Sequence, residues 1–408
     1  MQINEERLWQ RLMEMAKIGA TPAGGCNRQA LSDLDHEGRQ LFERWCTEAG
    51  CSIERDAIGN VFARRQGKQA LPPVMSGSHL DTQPTGGKFD GVYGVLAALE
   101  VVETLNDNGI ETDHPLDIVV WTNEEGSRFD CAMMGSAVWS GAWSTERASA
   151  LTDLEGVSVG DELTRLNLRG DRPFDHNIKA AFELHIEQGP ILEAASVPVG
   201  IVTGVQHMCR YRMQIHGQET HAGPSPMSMR RDPMMSVGEF LNETYAIANE
   251  HAPHGRVTFG YINALPGSPN TVPGTVELTL DLRHPDGNDY ASMQRKVEAA
   301  LDACVQKFGN TVECERVWEA PGVKFDEQCV DFVRRGAETS GLEAIELVSG
   351  AGHDACNIDS VAPTSMIFVP CDDGLSHNEA ENISSTQAAN GANVLLHAML
   401  EASRAATL

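Results

Sequence analysis

Short apolar, β-branched runs punctuate this chain, and each hands over to polar residues. LPPVMSGS leads into His79-Leu80-Asp81, LDIVVWTN into Glu124-Glu125, AAFEL into His185, and TSMIFVP into a Cys-Asp-Asp-Gly-Leu-Ser loop and His377. Runs of that length and composition predict buried strands. Helical patterns lie between them. In GVYGVLAALEVVETLNDNG, the residues Val92, Val95, Leu96, Leu99 and Val102 recur at helical spacing, and Gly109 closes the run. The segment MQINEERLWQRLMEMAKIGA sets Leu8, Leu12 and Met15 on one side, so it reads as an amphipathic helix and not as a signal peptide. Strands alternating with helices predict an α/β fold, a mostly parallel mixed sheet flanked by helices. Ligands of such open sheets bind beyond the carboxyl ends of the strands, which is where these four runs each deliver an acid or an imidazole.

Between Arg210 and Pro321 the rhythm changes. RYRMQIHG alternates like a half-buried strand, DPMMSVGEFLNETYAIANEH is helical, and VTFGYINAL and TVELTLDLRH are strands. NDYASMQRKVEAALDACVQKFG is a second helix and VECERVW a last strand. Strand, helix, strand, strand, helix, strand is the ferredoxin-like split βαβ order. We therefore expect residues 210–322 to form an inserted α+β domain that interrupts a first domain of residues 1–209 and 323–408, with Pro321-Gly322 as a hinge on one side.

Composition narrows the setting. Of 408 residues, 41% are hydrophobic and 22% charged, enough to bury a core. Asp plus Glu outnumber Lys plus Arg by 58 to 31, for a formal net charge of -27. A surface that acidic repels nucleic-acid phosphates and anionic lipid, so neither partner is expected. No apolar run approaches the ~18 residues of a membrane span. Ten cysteines lie scattered without C-x-x-C pairs, a pattern of free thiols in a reducing, cytoplasmic setting.

His79, Asp90, Glu125, His185 and His377 make a donor set of imidazoles and carboxylates, suited to borderline divalent metals such as Zn, Mn, Co or Ni. Five donors exceed one open tetrahedral site, but they suit two ions about 3.5–4 Å apart with one carboxylate shared. Asp90 is the natural bridge, since KFDGVYG puts it just before a helix whose positive end favours a carboxylate. Taken singly, each residue has a plainer reading: Asp90 as an N-cap, His79 and His377 as loop histidines. Glu124-Glu125 is harder to dismiss, because two adjacent carboxylates after the apolar run DIVVW are awkward to leave without cations.

The stretches GSHLDTQPTGGKFDG, TNEEGSRF, ELHIEQGP, GIVTGVQ, HAGPSPMSMRRDP, SGAGHDA and MIFVPCDDGLSHNEAE carry a resemblance that extends over essentially the whole chain. In that order they resemble the dinuclear-metal amidohydrolases of the M20 peptidase superfamily. Within it they are similar to the carbamoylase branch: N-carbamoyl-L-amino acid amidohydrolases, allantoate amidohydrolases and, most closely, yeast-type β-ureidopropionases. The resemblance implies a homodimer whose insert serves as lid and dimerisation domain, and two divalent metal ions per subunit. One ion would be held by His79, Asp90 and His185, the other by Asp90, Glu125 and His377. Ordinary peptidases of the superfamily usually carry a carboxylate where this chain has His185. Asp81 would orient the His79 imidazole. Glu124 would be the general base, taking a proton from water and returning it to the leaving nitrogen.

The same resemblance places substrate contacts. Arg283 matches the arginine that pairs a substrate carboxylate through a bidentate fork. Asn270 and His221 match groups that bind substrate and polarise the scissile carbonyl, His221 reaching the active site of its own subunit or of the partner. Gln188 and the backbone around Gly352 match further contacts. Read without the resemblance, Arg283 is a surface arginine on an acidic chain and Asn270 a turn residue beside Pro269. The implied reaction is hydrolysis of the ureido C–N bond of N-carbamoyl-β-alanine or an N-carbamoyl-L-α-amino acid, giving amino acid, CO2 and ammonia. Allantoate hydrolysis is the runner-up, and aminoacylase or peptidase activity comes third, weakened by His185. A thiol amidase built on Cys371 or Cys131 lacks a local activating pattern, and no G-x-S-x-G elbow is present. A metal-dependent protein that only binds its ligand has no need of a base such as Glu124.

Overall fold

The apolar runs that end in acids and imidazoles fold into strands buried at every residue. The structure, a computed structural model, describes residues 1–405. It divides into two compact units: Met1–Gly204 together with the chain from Lys324 onward, and Val205–Val323. In the first unit the strands Leu116–Trp121, Val74–His79, Ala180–Ile186 and Thr364–Val369 lie side by side in that order, each parallel to its neighbour. Strands of a parallel sheet are covered on both faces, which is why they read as unbroken apolar runs. Register sets His79 beside Trp121 and His185 beside Phe368. The chemically marked strand ends therefore open at one edge of the sheet. His185 is the penultimate residue of its strand and not, as expected, a residue beyond it.

Antiparallel strands extend both flanks. Ser52–Arg55 and Val61–Arg65 continue past Leu116–Trp121, and Val199–Val205 pairs antiparallel with Thr364–Val369. The sheet is thus mixed, with its parallel part at the centre. The helices Val92–Asp107, Glu327–Ser340 and Ser385–Arg404 pack on the sheet, and Glu5–Met15 packs on Val92–Asp107 and Ser385–Arg404. Met134–Trp139 and Asp354–Asp359 pack through a separate cluster that includes Phe62, Met75, Trp121, Trp139 and Ile358. The expected face of the N-terminal helix, Leu8, Leu12 and Met15, is buried. Arg7 ties that helix down by donating to the fully buried Glu100 at 2.6 and 2.7 Å.

The second unit has a four-stranded antiparallel sheet in the order Thr311–Ala320, His207–His216, Thr275–His284, Arg256–Leu265. That is the spatial order of a ferredoxin-like split βαβ arrangement. Strict alternation along Thr275–His284 sends every second residue inward, where Leu278, Leu280 and Leu282 meet Val237, Phe240, Met293 and Val297 from the helices Pro233–Glu250 and Gly287–Lys307. Asp232 and Asp286 cap those two helices by accepting backbone N–H groups. A short ribbon, Thr220–His221 paired with Thr271–Val272, was not expected from the sequence. No helix among the described residues is long and apolar enough to cross a membrane.

Gly77 sits inside the His79 strand, and a Cβ there would lie 2.1 Å from the carbonyl oxygen of Val119 on the neighbouring strand. Gly77→Ala should destabilise the protein by about 1–3 kcal/mol, the usual scale of forced overpacking. A urea-unfolding midpoint equal to wild type would contradict this packing.

Candidate metal centre

Glu124 and Glu125 follow the Leu116–Trp121 strand in a turn braced by Asn123. That residue is left-handed at φ 55°, and its side-chain amide donates to the carbonyls of Phe129 and Cys131. Asp81 braces the same turn from across the sheet. Its carboxylate accepts the N–H of Glu124 at 3.3 Å and that of Glu125 at 3.1 Å. This corrects the sequence expectation: the Asp81 carboxylate stands 4.0 Å from His79 Nδ1, too far to orient the ring by a hydrogen bond. The main-chain carbonyl of Asp81, 2.8 Å from His79 Nδ1, does that instead.

Asp90 is not a helix cap. The N-cap of Val92–Asp107 is Gly91, at φ 68°. A Cβ on Gly91 would fall 2.4 Å from His79 Nε2, so only glycine leaves room for the ring while tolerating that backbone. The Asp90 carboxylate turns to the imidazoles. Its Oδ1 lies 3.0 Å from His185 Nε2 and 3.6 Å from His79 Nε2, while its Oδ2 lies 3.4 Å from His377 Nε2. Glu125 Oε2 is 3.3 Å from His377 Nε2, and Glu124 Oε2 is 3.5 Å from His79 Nε2. Two donor groups result, His79 with Asp90 and His185, and Asp90 with Glu125 and His377.

The donor chemistry fits divalent metal. His79 Nδ1 donates to the Asp81 carbonyl and His185 Nδ1 to the Ile186 carbonyl at 2.9 Å. Both rings then present a lone pair at Nε2 on the side of Asp90, the tautomer a metal ligand needs. Charge points the same way. Burial lifts the Glu124 carboxyl well above its usual range; the pull of His79 opposes this, and Asp354, Glu125 and Asp81 add repulsion. Burial, then Asp90, pushes Glu125 up to about 7. When the imidazoles are protonated at both nitrogens, Asp90 is held well below the carboxylate range, its burial outweighed by hydrogen bonds from His185, His377 and His79. Acids crowded out of water resist ionising together, and cations relieve that repulsion.

Of the remaining candidates, Gln188 joins this cluster. It is left-handed at φ 57°, and its amide donates to Asp90 Oδ2 at 2.9 Å and Ser376 Oγ at 3.2 Å. Gly352 lies in the turn before His353, whose buried ring is 4.6 Å from that of His185. In the second unit His221 lies in the short ribbon and Asn270 just before its second strand, where Ala222 N–H donates to the Asn270 carbonyl at 2.8 Å. Arg283 is on the Thr275–His284 strand with its Nε 2.6 Å from Asp281 Oδ1. The thiols of Cys371 and Cys131 are both pushed up to about 11, chiefly by burial, so neither supplies a thiolate nucleophile at neutral pH.

Three buried acids beside the cluster escaped the sequence reading. Glu381 Oε1 accepts the N–H groups of both Phe89 and Asp90 at 3.0 Å, and its Oε2 accepts from Ser376 Oγ at 3.0 Å. Glu183 accepts from Ser78 Oγ at 2.7 Å and Ala355 N–H at 2.9 Å. Asp354 accepts from Ser136 Oγ at 2.5 Å. Glu183 had a signal: two residues before His185 on one strand, it shares that residue's face.

Comparison with known proteins decides the family. The description "Peptidase family M20/M25/M40" matches residues 75–401. The chain belongs to that family. The N-carbamoyl-L-amino-acid amidohydrolase of Rhizobium meliloti is 48% identical over 402 residues, 98% of this chain and 96% of that protein. The allantoate amidohydrolase of Bacillus subtilis (strain 168) is 33% identical over 93% of each chain. A crystal structure of an amidase of the hydantoinase/carbamoylase family from Burkholderia multivorans superposes with a TM-score of 0.95 at 48% identity, covering 98% of each chain. The family member described here is a hydrolase of C–N bonds in linear amides.

Because Glu381 fixes the backbone that carries Asp90, its loss should loosen the donor groups. Glu381→Ala should weaken divalent-metal affinity by about 10–100-fold, the usual effect of removing such a support, measured by competition with a chelator. Wild-type affinity in that variant would show that the support is dispensable.

Proposed function

We propose that this protein uses two divalent metal ions to cleave the ureido C–N bond of an N-carbamoyl amino acid, giving amino acid, CO2 and ammonia. The observation that carries the reading is the division of Asp90: Oδ1 faces His79 and His185, and Oδ2 faces His377, which in turn meets Glu125. Ions held by those two groups would supply Lewis acidity and lower the pKa of a water toward about 7. Glu124 belongs to neither group, yet its carboxylate lies beside His79. It is therefore placed to act as general base, taking a proton from the attacking water and delivering it to the nitrogen that leaves. The water oxygen adds to the ureido carbonyl carbon, the C–N bond breaks, and the nitrogen departs with the proton Glu124 carried. The carbamic acid left behind then breaks down to CO2 and the second amine, so one water is consumed per substrate.

The ureido class is supported by the near-complete coverage shared with the Rhizobium meliloti protein. Within this reading Arg283 pairs the substrate carboxylate, Asn270, His221 and Gln188 contact substrate, and the backbone at Gly352 completes the set. Allantoate is the second reading, favoured by the similarity to the Bacillus subtilis protein; it carries the same ureido group on a larger skeleton.

Glu124→Gln should lower turnover by roughly 10²–10⁴-fold while metal content, counted by elemental analysis, stays at the wild-type level. Turnover near wild type would remove Glu124 from its role. The substrate is tested by ammonia release from N-carbamoyl-L-α-amino acids, N-carbamoyl-β-alanine and allantoate side by side, with Mn2+ added. We expect a carbamoyl amino acid to give the highest kcat/KM; a higher value for allantoate would establish the second reading instead.

A further inference from the structure

The second unit holds a donor cluster of its own. His251 is the C-cap of the helix Pro233–Glu250, His284 ends the strand Thr275–His284, and Asp289 lies in the first turn of the helix Gly287–Lys307. These three ends meet at a cleft of about 560 Å³ whose lining also includes His254 and Glu250. One ligand atom from each of His251, His284 and Asp289 lies within 4.8 Å of the others. His251 Nδ1 is 3.3 Å from Asp289 Oδ1, and His284 Nε2 is 3.9 Å from Asp289 Oδ2. The two imidazoles stand edge to face with centroids 5.9 Å apart.

Ordinary packing leaves this cluster incomplete. The His251 side chain is only 9% exposed, with its Nδ1 facing Asp289; the other ring nitrogen, Nε2, is buried with no hydrogen-bond partner, whereas buried polar atoms ordinarily have one. Glu250 is engaged by Lys296 at 2.7 Å, and Asp286 accepts the N–H groups of Asn288 and Asp289. Asp289 is thus the carboxylate that faces both rings. His284 Nδ1 lies 3.1 Å from the Asp286 carbonyl oxygen and 3.0 Å from its N–H. With Nδ1 accepting the Asp286 N–H, Nε2–H faces Asp289; with Nδ1–H donating to the Asp286 carbonyl, Nε2 turns a lone pair toward Asp289, and a bound cation selects the second tautomer. The helix that ends at His251 brings the negative end of its dipole and the helix that begins at Gly287 the positive end of its own, so the preference for a cation comes from the donors themselves.

We propose that His251, His284 and Asp289 bind one divalent cation of the Zn2+ class in the second unit. Two imidazoles and one carboxylate suit such an ion; Ca2+ and Mg2+ prefer oxygen-only shells. His254, exposed at the rim with its ring centroid 6.3 Å from that of His284, is the available fourth donor, and the width of the cleft leaves the other positions to water. The ion staples the end of one helix to the start of the other.

The full-length chain, stripped with chelator and dialysed against micromolar Zn2+, should retain one ion more per chain than Asp289→Asn and His251→Gln treated alongside, as counted by elemental analysis. Amide hydrolysis should be alike in all three. Asp289 is half-exposed, so its variant keeps the fold even where replacement of the buried His251 does not, and its count decides. Equal zinc in wild type and Asp289→Asn overturns the proposal. A lower count accompanied by a matching loss of hydrolysis overturns it as well, because the missing ion would then belong to the first unit.

Discussion

A single buried carboxylate that must face imidazoles on both sides governs the layout of the first unit. Asp90 can do so only because its backbone is pinned from elsewhere. Glu381, 291 residues further along, accepts its N–H, while Gln188 donates to the oxygen that looks toward His377. The parallel register does the rest, setting the ends of neighbouring strands level so that donors remote in sequence arrive at one edge. Hydrogen bonds to a charged group are stronger than neutral ones, and here they also compensate for removing that charge from water.

Much of this was legible along the chain because the governing signals are local. Each central strand announces itself as a short apolar run, and Val92–Asp107 as one too long for a strand, closed by Gly109 and buried almost all round. The order of elements in Val205–Val323 follows from alternation in TVELTLDLRH and helical spacing in the segments on either side. Donors stood out where they terminate such runs, as His79 does. Glu381 did not, because its partners lie in a loop and a helix start nearly three hundred residues away, and nothing periodic connects them.

One misreading and one plainer alternative, set aside for Asp90 in favour of a bridging ligand, share a cause. Asp90 looked like a cap and Asp81 like a ring-orienting carboxylate because short-range spacing favours both. In the folded chain Gly91 takes the cap position, and the backbone carbonyl of Asp81 takes the ring. Backbone groups compete with side chains for the same partners, and sequence spacing alone does not say which wins. Of the flanking antiparallel strands, Ser52–Arg55 was missed for a different reason: it has no fully buried residue and so lacks an apolar run to announce it.

The ring of His79 fills the volume into which any side chain at residue 91 would project. A saturation library at that position would therefore retain function at the glycine codon alone, although glycine contributes no reactive group there. Indispensable and chemically inert coincide at such a site. A scan scored by loss of function would rank it with the acids and imidazoles, when what it guards is empty space.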